Sequence, residues 1–289
     1  MVFLGLMMMI GAAGAYDEST AIRALQLSEA AYCTGSVSEN SSLPEGATVT
    51  AVVSQTTSGG RAIVGYDTFD ETVFVAYRGS ENVQNWIENI KFIKTYPYEG
   101  YPDVGVEQGF YDWYADLNDA GLLDAVKELA SYSSNLKVTG HSAGAACATL
   151  LATDVSLGLA LTDFDLVSAT TFGSPRVGQS DFADLYATFK HTSLRVTHYH
   201  DIVPHLPPED MTFHHVATEV FYNEANSAYK VCDGSGEDNS CSNACADTFS
   251  CTSVDDHLYY INITLGVDGC PSSNRPKIFF HPRAAQKPE

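Results

Sequence analysis

Apolar positions recur along this chain with two different periods. From Tyr16 to Tyr32 they fall three to four residues apart. Ala21, Leu25 and Ala31 share one face there, with Ile22 and Leu27 beside them, and the spacing predicts a helix. The pattern then breaks into short β-branched runs, Thr48–Val53, Ala62–Tyr66 and Val73–Tyr77, the first two separated by a Ser58-Gly59-Gly60 turn. Helical spacing returns at Glu107–Leu117 and Leu122–Ala130. A strand at Leu136–Thr139 is followed by a helix at Ala143–Leu157. Strands at Leu166–Thr171 and Leu194–Tyr199 flank a helix at Asp181–Phe189, and His215–Tyr222 and Tyr229–Cys232 predict further strands. Strands alternating with helices specify an α/β fold. Its central sheet is mostly parallel, with an antiparallel N-terminal portion and helices on both faces. With no internal repeat and no low-complexity linker, one domain is expected.

The first 15 residues stand outside this pattern. Met1–Ile10 is apolar and leads into Gly11-Ala-Ala-Gly-Ala15, whose small residues fit a leader-cleavage site. Residues 1–15 are read as a signal peptide and residues 16–289 as a single domain, although no Lys or Arg precedes the apolar run. That run is shorter than the ~20 residues a spanning helix needs, so no transmembrane segment is expected. The expected location is secreted and extracellular. Seven cysteines agree with an oxidising compartment, and an odd count leaves one thiol over. Asn40 and Asn262 begin glycosylation sequons.

Charge narrows the partners. The chain has 15 Lys+Arg against 36 Asp+Glu, a net charge of −21. That excludes nucleic acid, whose binding needs clustered cations, and opposes docking on anionic membranes. With 45% hydrophobic and only 18% charged residues, the chain can bury a core, so disorder is also excluded.

Gly140-His-Ser-Ala-Gly144 carries the chemistry. It lies between an apolar strand and a small-residue helix, where a G-x-S-x-G turn exposes a nucleophilic serine above a helix N-terminus. Ser142 needs a base, and the base needs an orienting acid. Asp201 opens a proline-stiffened segment, Asp201-Ile-Val-Pro-His-Leu-Pro-Pro208, just past a strand, and His257 follows near the C-terminus. The order Ser142, Asp201, His257 is the one such a sheet requires. Asp255 and Asp256 read as solvated, and His141 as structural. His198, His200, His214 and His215 suggest a metal only weakly, because no Cys or carboxylate set completes them.

Taken together, Ala76-Tyr-Arg-Gly-Ser80, Asn85-Trp-Ile87, Gln108-Gly-Phe110, Gly140–Gly144, Thr171-Phe-Gly-Ser-Pro-Arg-Val-Gly178, Asp201–Pro208, His215-Val-Ala-Thr-Glu219 and Asp256-His257 resemble the secreted class 3, fungal-type lipases. The resemblance implies an α/β-hydrolase fold, Ser142, Asp201 and His257 as the catalytic triad, and Ser80 with the Ala143 N–H as the oxyanion hole. It also implies disulfides Cys33–Cys270 and Cys232–Cys241. Cys245 and Cys251 remain as the third pair, and Cys147 as a buried thiol. The chain departs from the family at Glu107, often His, at Ala143, usually larger, and near His198, often Asn.

The family places a mobile lid after the oxyanion residue. In Glu81–Lys94, the residues Val83, Trp86, Ile87, Ile90 and Ile93 fall on one face of a predicted helix. An apolar lid points to a triacylglycerol lipase acting at an oil–water interface. Phospholipase A1, galactolipase and feruloyl esterase activities are the alternatives on the same scaffold, and an idle lipid-binding protein is a remote one. The chemistry calls for no cofactor and no metal, and no obligate protein partner is expected.

Overall fold

The computed structural model describes residues 16–248 and 250–271 of the 289. The signal-peptide segment lies outside the described residues. An eight-stranded sheet runs through the molecule: β1 (Ala47–Ser54), β2 (Arg61–Asp67), β3 (Thr72–Tyr77), β4 (Asn135–His141), β5 (Asp165–Phe172), β6 (Thr192–His198), β7 (Glu219–Tyr222) and β8 (Tyr229–Val231). Spatial order follows chain order. β1, β2 and β3 pair antiparallel, β3 to β7 pair parallel, and β8 closes the far edge antiparallel.

The seven α-helices among the described residues are α1 (Glu18–Ala30), α2 (Val83–Asn89), α3 (Gln108–Asp119), α4 (Leu122–Lys127), α5 (Ala143–Ser156), α6 (Ser180–Tyr186) and α7 (Val254–His257). Both faces of the sheet are covered, which explains why β3 reads as an unbroken apolar run. Val73, Val75 and Tyr77 pack into the cluster that holds α3 and α5. Phe74 and Ala76 point the other way, into the cluster beneath α1. Asp17 caps α1 by accepting from the Thr20 N–H at 2.8 Å. Arg23 on α1 donates twice to buried Asp67 on β2, at 2.9 and 2.8 Å, and Lys137 on β4 donates to the same carboxylate at 2.5 Å. This ion cluster ties α1 across two strands.

Three disulfides are present: Cys33–Cys270, Cys232–Cys241 and Cys245–Cys251, with Cys147 free and buried. Among the described residues, no helix is long and apolar enough to cross a membrane.

Two elements differ most from expectation. The strand expected over His215–Tyr222 begins only at Glu219. His215 is drawn away by its own polar bonds, Nε2 to the Pro204 carbonyl at 2.7 Å and N–H to Glu237 at 3.0 Å. The helix expected over Glu81–Lys94 is reduced to Val83–Asn89. Lys94 and Thr95 instead pair with Val106 and Glu107 as a two-residue strand, which requires extended backbone and stops the helix at Ile90.

Candidate active site

Parallel strands in register bring their carboxyl ends to one edge of the sheet, where open α/β sheets place their sites. Ser80 follows β3, Ser142 follows β4 and Asp201 follows β6. His257 arrives from the far end of the sequence on the single turn of α7. Ser253 fixes that turn twice. Its hydroxyl accepts from the Asp256 N–H at 2.9 Å, and its backbone bonds to both sides of Asp201, N–H to the His200 carbonyl at 3.0 Å and carbonyl to the Ile202 N–H at 3.3 Å.

Ser142 sits at φ 60° and ψ −134°, a strained conformation for a residue with a side chain. The flanking glycines make the turn possible. A Cβ at Gly140 would lie 2.3 Å from the Gly144 carbonyl oxygen, and one at Gly144 would lie 2.5 Å from the Tyr77 carbonyl oxygen. Neither backbone atom can yield cheaply. Small residues continue through α5, which packs directly on β3, β4 and β5. The N-terminus of that helix begins at Ala143, beside the serine.

His257 Nδ1 lies 2.9 Å from Asp201 Oδ2. Asp201 also accepts from the Tyr260 hydroxyl on Oδ2 and from the Val203 N–H on Oδ1 at 2.8 Å. These donors hold the carboxylate still. They also leave Nδ1 of His257 as the protonated nitrogen and Nε2 as the free lone pair. Ser142 Oγ and His257 Nε2 are both buried, and neither has a hydrogen-bond partner among the described residues. Gly173 leaves room for this arrangement, because a Cβ there would stand 2.9 Å from the His257 ring.

A second imidazole stands against the first. The His141 and His257 ring centroids are 4.4 Å apart. His141 Nε2 lies 2.8 Å from the His257 carbonyl and must donate to it, so Nδ1 accepts from the Tyr32 hydroxyl at 2.8 Å. The Tyr32 oxygen accepts in turn from the Gly79 N–H at 3.1 Å. Burial, aided by the nearby His257, pushes the His141 pKa well below the ordinary imidazole value, so the ring stays neutral in this single tautomer. One chain of bonds thus links the loop bearing Ser80 to the backbone of His257. The sequence showed no sign of Tyr32 or Tyr260 at the site. Their partners are 109 and 59 residues away, beyond any local pattern.

These three residues are sealed from solvent, with Ser142 and His257 fully buried and Asp201 1% exposed. Ser80 Oγ is engaged with the backbone of Asn82, donating to its carbonyl at 3.1 Å. Val83 is buried, and Trp86, Ile87 and Ile90 are half-buried, with Trp86 stacked on Phe110 at 5.9 Å between centroids. Ile93, assigned to the same face, lies beyond the helix and is 49% exposed. A cavity of about 230 Å³ separates Ser80–Gln84 from Val254, Leu258 and Leu265 beside His257. A second, of about 450 Å³, lies between Trp86, Ile90 and Ile93 and the start of α3 at Glu107–Phe110. Glu107 caps α3 through the Phe110 N–H at 2.9 Å, and burial pushes its pKa up.

The four weighed histidines do not converge. His198 and His215 bond to carbonyls of different segments, His214 bonds to the Ser235 carbonyl, and His200 stacks on Tyr199.

Residues 74–211 match the family model for class 3 lipases. The chain is 34% identical over 216 residues to a lipase of Rhizomucor miehei, covering 71% of this chain and 56% of that protein. It is 36% identical over 201 residues to the secreted mono- and diacylglycerol lipase A of Penicillium camembertii, covering 65% and 63%. The chain therefore spans less than two thirds of the length of these relatives. The solved structure of Rhizomucor miehei triacylglyceride lipase superposes with a TM-score of 0.72 at 30% identity, covering 88% of this chain and 98% of that one. With the elbow, the sheet order and these likenesses in agreement, the chain belongs to the class 3 lipase family and has its α/β-hydrolase fold.

Proposed function

We propose that this chain is a secreted, serine-dependent carboxylic ester hydrolase that cleaves acylglycerols at an oil–water interface. The observation that carries the reading is the 2.9 Å His257–Asp201 bond beside a strained elbow serine. Ser142 Oγ attacks the ester carbonyl while His257 Nε2 takes its proton. The imidazolium is stabilised by Asp201, itself steadied by Tyr260 and Val203. The oxyanion faces the Ala143 N–H and Ser80, which must first turn from Asn82. His257 then protonates the departing alkoxide. Water attacks the acyl-enzyme with His257 as base, and His257 returns that proton to Ser142 Oγ as the Oγ–acyl bond breaks and the acid leaves. Every proton in this cycle travels through His257, so the chemistry calls on no cofactor.

A buried triad cannot meet an insoluble substrate until the segment after Ser80 moves. The half-buried Trp86 and Ile87 give that segment an apolar face to offer to lipid. A net charge of −21 favours neutral lipid over anionic membranes. Three disulfides support an extracellular setting, with residues 1–15 as leader and 16–289 as one working domain. The test is a rate panel on a short-chain triglyceride below and above its solubility limit, beside phospholipid, galactolipid and methyl ferulate. The reading expects a jump on emulsified triglyceride. Faster ferulate turnover with no jump at the interface would overturn it.

A further inference from the structure

The backbone of the proposed base is gripped from two sides. The His257 carbonyl is held by His141. The preceding carbonyl, that of Asp256, is held by a different imidazole, with His198 Nδ1 3.0 Å away. His198 is the last residue of β6, three residues before Asp201, and is buried at 1% exposure. A single side chain therefore connects the strand that delivers the acid to the turn that delivers the base.

The protons on this side chain can be assigned. The amide of Asn226 lies between His198 and the segment after α7. Its Oδ1 accepts from the Ile261 N–H at 2.8 Å, and its Nδ2 lies 2.9 Å from His198 Nε2. Reversing the amide would set its NH2 against the Ile261 N–H, so its orientation is fixed. Nε2 of His198 must then accept, even though the Glu224 carbonyl stands 3.2 Å away. The hydrogen belongs on Nδ1, where it points at the Asp256 carbonyl. Asn226 thus selects the tautomer of His198, and His198 anchors the peptide next to His257.

We propose that His198, its tautomer set by Asn226, is a positioning residue for the base His257. It touches neither the serine nor the substrate. It fixes the Asp256 peptide from the acid's own strand, so Nδ1 of His257 stays in line with Asp201. This role rests on the hydrolase reading above.

The test exploits two amides of similar polarity. In His198→Asn the side-chain NH2 sits near the position of Nδ1 and can still donate to Asp256. In His198→Gln it sits near Nε2, and the Asp256 carbonyl loses its donor. Each purified variant is treated with a soluble p-nitrophenyl alkylphosphonate. Ser142 Oγ forms a P–O bond, p-nitrophenolate leaves, and His257 takes the serine proton, so the rate reports serine–base alignment. His198→Gln should react about 10- to 100-fold more slowly than wild type, the cost of a misplacement on the order of 1 Å. His198→Asn should remain within about threefold, because its donor survives. On a soluble ester, His198→Gln should lose kcat with KM unchanged, while both variants melt at the same temperature.

Equal phosphonylation rates in the two variants, whether both fast or both slow, would overturn the positioning role. A wild-type protein in which Ser142 takes no phosphonate, even with detergent micelles present to open the segment after Ser80, would instead overturn the hydrolase reading beneath it.

Discussion

Asp154 offers a direct test of the buried electrostatics behind the site. It lies in the last turn of α5, the helix that starts just after Ser142, and accepts from the Tyr114 hydroxyl at 2.6 Å. Burial pushes its pKa from the ordinary 3.8 up to about 6, with the Tyr114 bond opposing the rise. The nearby helix C-terminus also disfavours a negative charge. The sign follows from which state releases the proton first. Below pH 3.8 both folded and unfolded chains are protonated. Between 3.8 and about 6 the unfolded chain ionises while the folded one does not, so stability falls as pH rises. Above that range the loss is complete and constant. At about 1.4 kcal/mol per pH unit, the gap from 3.8 to about 6 amounts to about 3 kcal/mol. Asp154→Asn keeps an acceptor for Tyr114 and cannot ionise. Urea unfolding of both proteins should give nearly equal stability at pH 4. At pH 8 the variant should be more stable by about 3 kcal/mol. Other groups titrate in both proteins and cancel in the comparison. A stability difference that stayed the same at the two pH values would refute the assignment.

Other expectations concern the elbow, the acid and the ion cluster. Lys137→Met strips a cation from the fully buried Asp67 and should cost about 3–5 kcal/mol in urea unfolding. A loss below about 1 kcal/mol would show the charge to be satisfied by Arg23 alone. Gly144→Ala drives a Cβ to within 2.5 Å of the Tyr77 carbonyl, so it should lower the melting temperature and slow phosphonate labelling of Ser142 together. Tyr260→Phe removes one of the donors on Asp201 Oδ2 and should reduce kcat on a soluble ester about 10-fold, with KM unmoved. An unchanged kcat would remove Tyr260 from the acid's support.

The candidate site was legible in the sequence wherever one residue must follow a strand. Ser142, Asp201 and Ser80 each sit at the carboxyl end of a recognisable apolar run, and the glycines at 140 and 144 announce the sharp turn between them. The supporting hydrogen bonds were not legible. His141 shows only as a neighbour of the serine and His198 only as a weak metal candidate, while Tyr32, Asn226 and Tyr260 show only as scattered polar or aromatic residues. Their roles depend on tautomers and contacts set by the tertiary fold. The segment after Ser80 shows a different failure. Its apolar period fits a long helix, but pairing of Lys94–Thr95 with Val106–Glu107 fixes the local backbone instead. Likewise the β-branched run at His215–Thr218 yields to bonds made by the His215 side chain and backbone.

The proposed chemistry depends on Ser142 Oγ as the attacking atom. Hydrolysis of an emulsified short-chain triglyceride, followed by acid release at constant pH for wild type and Ser142→Ala, tests that most directly. Wild type should turn over robustly. The variant should melt at the wild-type temperature and lose activity on the order of 10⁶-fold. Substantial hydrolysis by folded Ser142→Ala would rule out the serine as nucleophile.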